Sequence, residues 1–133
     1  MIVADTSSWI ELLRNTQHPV ATTLEELING GEDVGITEVI VMELLAGVRT
    51  GGPARELRSR LLSYPVLPIG GLEDFEEAAM IYRTCRDMGH AIRSINDCLI
   101  TVSVLRGGAS LLHNDKDFDV IARHTGLKIY PTN

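Results

Sequence analysis

Four acidic side chains stand where ordinary surface chemistry would not put them. Glu43 is the sharpest case, because the run Val39 to Val48 is apolar at every other position. Its helical neighbours three and four residues away are Val39, Ile40, Ala46 and Gly47, and none of them can pair with a carboxylate. A helix apolar all round is a buried helix, so Glu43 is expected to be buried and to need a partner distant in sequence. A buried hydrogen bond or salt bridge would serve, and so would a metal ion. Asp97 opens a second largely apolar helix, Asp5 follows the first apolar run directly, and Asp115 follows another after His113 and Asn114. Each aspartate also has a local explanation. Ser94-Ile95-Asn96-Asp97 fits a capping box, and Asp5 and Asp115 are suitable N-caps for the helices behind them. If the four meet in one pocket, they repel unless protonated or bridged by cations. Magnesium and manganese prefer oxygen ligands, and magnesium keeps several waters. An all-carboxylate pocket with water left on the ion is the chemistry of metal-assisted phosphodiester hydrolysis.

Other chemistries lack parts. There is no Gly-x-x-x-x-Gly-Lys-Ser/Thr phosphate loop and no Gly-x-Ser-x-Gly nucleophile elbow. Asp5-Thr6-Ser7 lacks the second aspartate that a phosphoaspartyl hydrolase uses as its acid, and no lysine ends a strand as a phosphoacceptor domain would need. None of the four histidines stands at metal-ligand spacing to another, and Cys85 and Cys98 read as buried free thiols.

The acids need a scaffold that brings them together. Ile2-Val3-Ala4, Val34–Ile36, Val66–Ile69, Ser110–His113 and Leu127–Tyr130 read as short strands. Between them lie helical stretches at about 8–14, 19–30, 38–48, 54–62, 72–88, 94–106 and 116–124. Short strands alternating with helices predict a parallel sheet covered on both faces, an α/β/α sandwich. In that architecture ligands gather beyond the carboxyl ends of the strands, where Asp5 and Asp115 both fall.

Length and charge bound the remaining possibilities. The 133 residues suit one domain spanning 1–133, and no stretch is long enough for a bilayer span or reads as an export signal, so a cytoplasmic protein is expected. Eighteen acids against twelve bases give a net charge of −6, the wrong sign for gripping nucleic acid by bulk electrostatics. Two bound divalent cations would bring that to −2. Local arginines would then have to steer any RNA, and Arg86 and Arg93 are the candidates, with a solvated arginine face as the alternative. Arg83 and Arg86, or the stripe Leu57, Leu61 and Leu62, could instead meet a protein partner, although such stripes are more often core.

The blocks Ile2-Val3-Ala4-Asp5-Thr6-Ser7-Ser8-Trp9-Ile10, Val41-Met42-Glu43-Leu44-Leu45-Ala46-Gly47, Arg93-Ser94-Ile95-Asn96-Asp97-Cys98 and His113-Asn114-Asp115-Lys116-Asp117-Phe118 resemble, in order, those of PIN-domain ribonucleases. The whole layout is similar to the VapC toxins of bacterial VapBC toxin–antitoxin pairs. One small departure is an extra residue, Ala4, before Asp5. The resemblance implies a PIN-like α/β/α fold and an Mg2+-dependent endoribonuclease, with Mn2+ able to substitute. It makes Asp5, Glu43, Asp97 and Asp115 the metal-binding catalytic quartet, Asp117 an auxiliary acid, and Thr6 and Asn114 hydrogen-bonding neighbours of carboxylate or phosphate. It also implies an RNA substrate, homodimers and silencing by a small VapB-like antitoxin, with no membrane partner. The competing readings are a non-catalytic RNA- or protein-binding PIN-like module and a structure-specific DNase.

Overall fold

The computed structural model describes residues 1–132. Its elements run β1 (Ile2–Ala4), α1 (Thr6–Leu13), α2 (Pro19–Asn29), β2 (Val34–Thr37), α3 (Glu38–Ala46), α4 (Gly52–Leu61), β3 (Val66–Leu67), α5 (Leu72–Asp87), α6 (Ile95–Arg106), β4 (Ser110–Leu112), α7 (Lys116–His124) and β5 (Lys128–Ile129). The five strands form one sheet in the order β3-β2-β1-β4-β5, every pair parallel. The alternating α/β sandwich predicted from sequence is the observed architecture. The strands are shorter than expected at β3 and β5, and α3 stops at Ala46 rather than Val48.

Parallel strands this short must be buried on both faces to be stable. Val3, Ala4, Ile36, Leu111 and Leu112 have no exposed surface, and all four residues of β2 are buried. Helix α1 packs on α2, while α5 packs on α6 and α7; α3 touches α1, α4 and α6. Trp9 and Phe118 are the bulkiest wholly buried side chains, and they join Leu24, Ile36, Ile40 and Ile100 in one continuous core.

Two features of the fold place the site. The chain leaves β1 toward β2 on one side and returns to β4 on the other, so β1 and β4 flank the point where the winding reverses. Crevices form at the carboxyl ends of such strands. The β1–β4 register pairs Ala4 with Leu112, and the Asp5 N–H continues the ladder by donating to the Leu112 carbonyl at 2.9 Å. Asp5 is thereby fixed beside the end of β4, from which Asp115 departs. The second feature is the end of α5. Gly89, at φ +88°, allows His90 N–H to donate to the Cys85 carbonyl at 2.8 Å and its own N–H to donate to the Arg86 carbonyl at 3.0 Å. This glycine-dependent helix stop turns the chain back toward Arg93 and the start of α6.

Candidate active site

Helix α1 begins at Thr6, two residues earlier than the sequence suggested, because Asp5 is its cap. The Asp5 carboxylate accepts from the Ser7 N–H at 3.1 Å and from the Ser7 hydroxyl at 2.7 Å. The Ser7 Oγ in turn accepts the Asn114 N–H at 2.9 Å. A short relay therefore ties the turn after β4 to the carboxylate after β1. Asp5 is buried, and its pKa is raised mainly by that burial, with the Ser7 and Thr6 contacts opposing and the Glu43 charge adding.

Glu43 does not lie in a wholly buried helix, contrary to expectation. Helix α3 exposes Met42 (54%) and Ala46, and Glu43 itself is half-buried. The apolar side chains of the exposed face disguised the true amphipathicity of α3. Its distant partner is Thr6, whose hydroxyl donates to Glu43 Oε1 at 2.7 Å across 37 residues of chain. A threonine holding a carboxylate by one bond fixes its direction while leaving its other oxygen available. Thr6→Val should therefore lower activity about 10- to 100-fold with the fold intact, as loss of an outer hydrogen bond to a ligating group does. Cleavage rate and circular dichroism of the variant check this.

Asp97 is buried in the first turn of α6. The capping box does not form there. Ser94 makes no side-chain cap, and its carbonyl accepts the Asp97 N–H at 3.1 Å. The Asp97 carboxylate has no hydrogen-bond or salt-bridge partner among the described residues. Burial, followed by the charges of Asp5, Asp115, Glu43 and Asp117, pushes its pKa up to about 8. Asp97 therefore lies close enough to each of the other four acids to feel its charge.

Asp115 caps α7, its Oδ1 accepting the Asp117 N–H at 3.0 Å. Capping and convergence are not alternatives here, because Asp5 and Asp115 do both. Asp117, the expected auxiliary acid, is buried beside them. Asp97, Asp115 and Asp117 each offer an oxygen within 4.8 Å of the others. Asp97 and Asp115 also line a cavity of about 310 Å³, which they share with Asp5, Thr6, Ser7 and Glu43 and with Ile10, Arg93 and Ser94.

Arg93 closes one side of the cluster. Its Nη2 donates to Asp115 at 2.6 Å, and its Nε and backbone N–H both donate to Asp117 at 3.1 Å. These bonds, led by the one to Asp117, hold it firmly charged. Its side chain is 68% exposed, so the outer edge of the guanidinium faces solvent at the cavity mouth. Replacing Arg93 with Ala should slow cleavage and lower the salt slope of RNA binding by about one. Unchanged rate and unchanged salt dependence would rule out a phosphate-holding role.

Not every expected residue reaches the cavity. Arg86 lies exposed in the last turn of α5 and pairs with Asp87 at 3.1 Å. The Asn114 side chain is exposed outside the acid cavity, and only its backbone joins the network. Leu57, Leu61 and Leu62 do not act as one stripe: Leu61 is core, Leu62 is exposed, and Leu57 lines an apolar recess beside Glu43. Sequence reasoning did not single out Ser7 from its neighbours. The Asp-x-Ser spacing that lets a side chain bond two residues ahead was the available signal.

This arrangement, a parallel sheet with acids converging at the reversal of its winding, is that of a PIN domain, and the PIN-domain family model matches residues 2–124. The chain belongs to the PIN-domain family. Within it, the chain is 40% identical over 129 residues to the VapC ribonuclease Mb1587 of Mycobacterium bovis and equally to ribonuclease VapC11 of Mycobacterium tuberculosis, covering 96% of each chain. Among solved structures, VapBC2 from Rickettsia felis bound to a DNA fragment from their promoter shares the fold with a TM-score of 0.73 at 19% identity, over 100% of both chains. VapBC-1 from nontypeable Haemophilus influenzae gives 0.69 at 21% identity, over 98% of this chain and 97% of that one. No helix among the described residues is long and apolar enough to cross a membrane.

Proposed function

We propose that the protein is a magnesium- or manganese-dependent endoribonuclease, the toxin of a toxin–antitoxin pair. The observation that carries this reading is Asp97, a buried carboxylate with no local partner, facing four further acids. Such a group must take up a proton or neighbour a cation. The donor set fits a hard divalent ion: all the converging side chains offer carboxylate oxygen, with no thiol or imidazole among them. Five carboxylates against the single Arg93 guanidinium leave charge for such an ion to balance.

In this mechanism Asp97, Asp115 and Asp117 would hold the ion, with the Asp5 and Glu43 carboxylates lining the same cavity. When bound, the ion supplies an acidified water and offsets the charge that builds on the phosphate oxygens during hydrolysis. The chain's own residues do the positioning. Thr6 keeps the Glu43 carboxylate aimed into the cavity, and Ser7 locks Asp5 to the turn that presents Asp115. Arg93 screens Asp115 and Asp117 from each other and offers its solvent-facing edge to a substrate phosphate. Arg86 would act at longer range, as part of a basic approach to the site.

The relatives named VapC ribonucleases, similar over nearly their whole length, support RNA as the substrate. The VapBC neighbours support a small VapB-like antitoxin as the partner. The test is incubation of purified protein with total RNA and with single-stranded and branched DNA. Cleavage of RNA that needs Mg2+ or Mn2+ and is lost with EDTA is expected. Cleavage of DNA alone, or RNA binding without cleavage, would replace this reading with one of its competitors.

A further inference from the structure

Beyond the acid cavity, on the other side of the turn that carries Asp115, lies a second cavity of about 410 Å³. It opens between the ends of β4 and β5 and the start of α2. Its lining includes His18, Asn114, Lys116, Ile129, Tyr130 and Pro131, and it shares Asp115 with the first cavity. We propose that this second cavity is a nucleobase subsite, holding the base of a nucleotide next to the scissile phosphate. The proposal rests on the nuclease reading and adds to it where sequence preference arises.

Three observations carry it. The first is shape and composition: the Ile129–Pro131 segment gives an apolar wall that includes an aromatic ring, whereas His18, Asn114 and Lys116 give polar edges. A flat base with hydrogen-bonding edges needs both, and unstacked RNA bases are recognised by aromatic stacking combined with edge contacts. The second is unused bonding capacity. The His18 Nδ1 accepts the Val20 N–H at 3.1 Å, which leaves the proton of the neutral ring on Nε2 as a donor. The Asn114 amide and the Lys116 ammonium make no side-chain bond among the described residues. The third is rigidity of the shared wall. His113 Nδ1 accepts the Asp115 N–H at 3.0 Å, so its Nε2 carries the proton and meets Asp119 Oδ1 at 3.0 Å, while its ring packs on Phe118. The 113–115 turn is thus held between the two cavities as a fixed partition. A strand crossing it would place a phosphate at the acids and the adjoining base behind Asp115.

The experiment is nuclear magnetic resonance titration of the full chain with the four nucleoside monophosphates in EDTA, so that the readout does not depend on catalysis. Saturable shifts of the His18 and Tyr130 ring signals, stronger for one base than the others, are expected. Loss of the His18 shifts in both Tyr130→Ala and Lys116→Ala should accompany a rise in KM for RNA of about tenfold, within the range that one stacked base contributes, with kcat unchanged. Lys116 is exposed, so its variant tests the proposal even where Tyr130→Ala is unstable. The same shifts with inorganic phosphate, shifts confined to the acid cavity, or variants that weaken antitoxin inhibition without altering KM would each overturn the base subsite. Base-selective binding in a protein that cleaves no RNA would retain the subsite and overturn only the nuclease reading.

Discussion

Asp97→Asn is expected to abolish turnover and, in the same molecule, to stabilise the metal-free fold. The loss of activity should exceed the roughly 10- to 100-fold that outer hydrogen-bond partners are worth, because Asp97 would ligate the proposed ion itself. The gain in stability follows from its surroundings. An amide cannot ionise, so it escapes both the cost of burying a charge and the repulsion of Asp5, Asp115, Glu43 and Asp117. At pH 8 without metal the variant should be more stable by about 1–2 kcal/mol, equivalent to a rise of about 4–8 °C in Tm for a domain of this size. Thermal unfolding in EDTA measures this. A variant that is inactive but less stable at pH 8 would mean that Asp97 serves the fold through a bond not described above.

The second large effect is a stability that falls as pH rises and that divalent metal restores. Between its ordinary value of 3.8 and about 8, Asp97 holds a proton in the folded state that the unfolded chain has already released. The folded state binds more protons across that window, so raising the pH through it favours unfolding. Asp5, whose pKa is also raised by burial, pushes in the same direction. Metal-free protein should therefore unfold at progressively lower temperature from pH 5 to pH 8. Adding Mg2+ should raise Tm little at pH 5, where protons occupy the cluster, and several degrees at pH 8, where they do not. In Asp97→Asn both the pH slope and the metal response should shrink. A Tm that is flat from pH 5 to 8 with and without Mg2+ would contradict the cluster electrostatics.

Much of this was legible in the chain itself, for identifiable reasons. Alternating apolar runs and helical periods gave the parallel α/β architecture, and the rule about carboxyl strand ends put Asp5 and Asp115 on one side of the sheet. The ladder bond from Asp5 to Leu112 was not readable, since nothing in the sequence says that β1 and β4 are neighbours. The Thr6–Glu43 bond and the Arg93 contacts to Asp115 and Asp117 span 22 to 37 residues, which is beyond any local pattern. Glu43 misled in an instructive way. Its neighbours are apolar in type, yet Met42 and Ala46 face solvent, so residue type alone exaggerated its burial. The Ser94-x-x-Asp97 spacing likewise promised a capping box that the backbone does not form, and that failure is what leaves Asp97 without a local partner.

Crystals grown with Mn2+ and measured at the manganese absorption edge would locate the ion. An anomalous peak is expected within coordination distance of Asp97, Asp115 and Asp117 oxygens, absent from crystals of Asp97→Asn. A peak elsewhere on the chain, or none at saturating Mn2+, would contradict that placement.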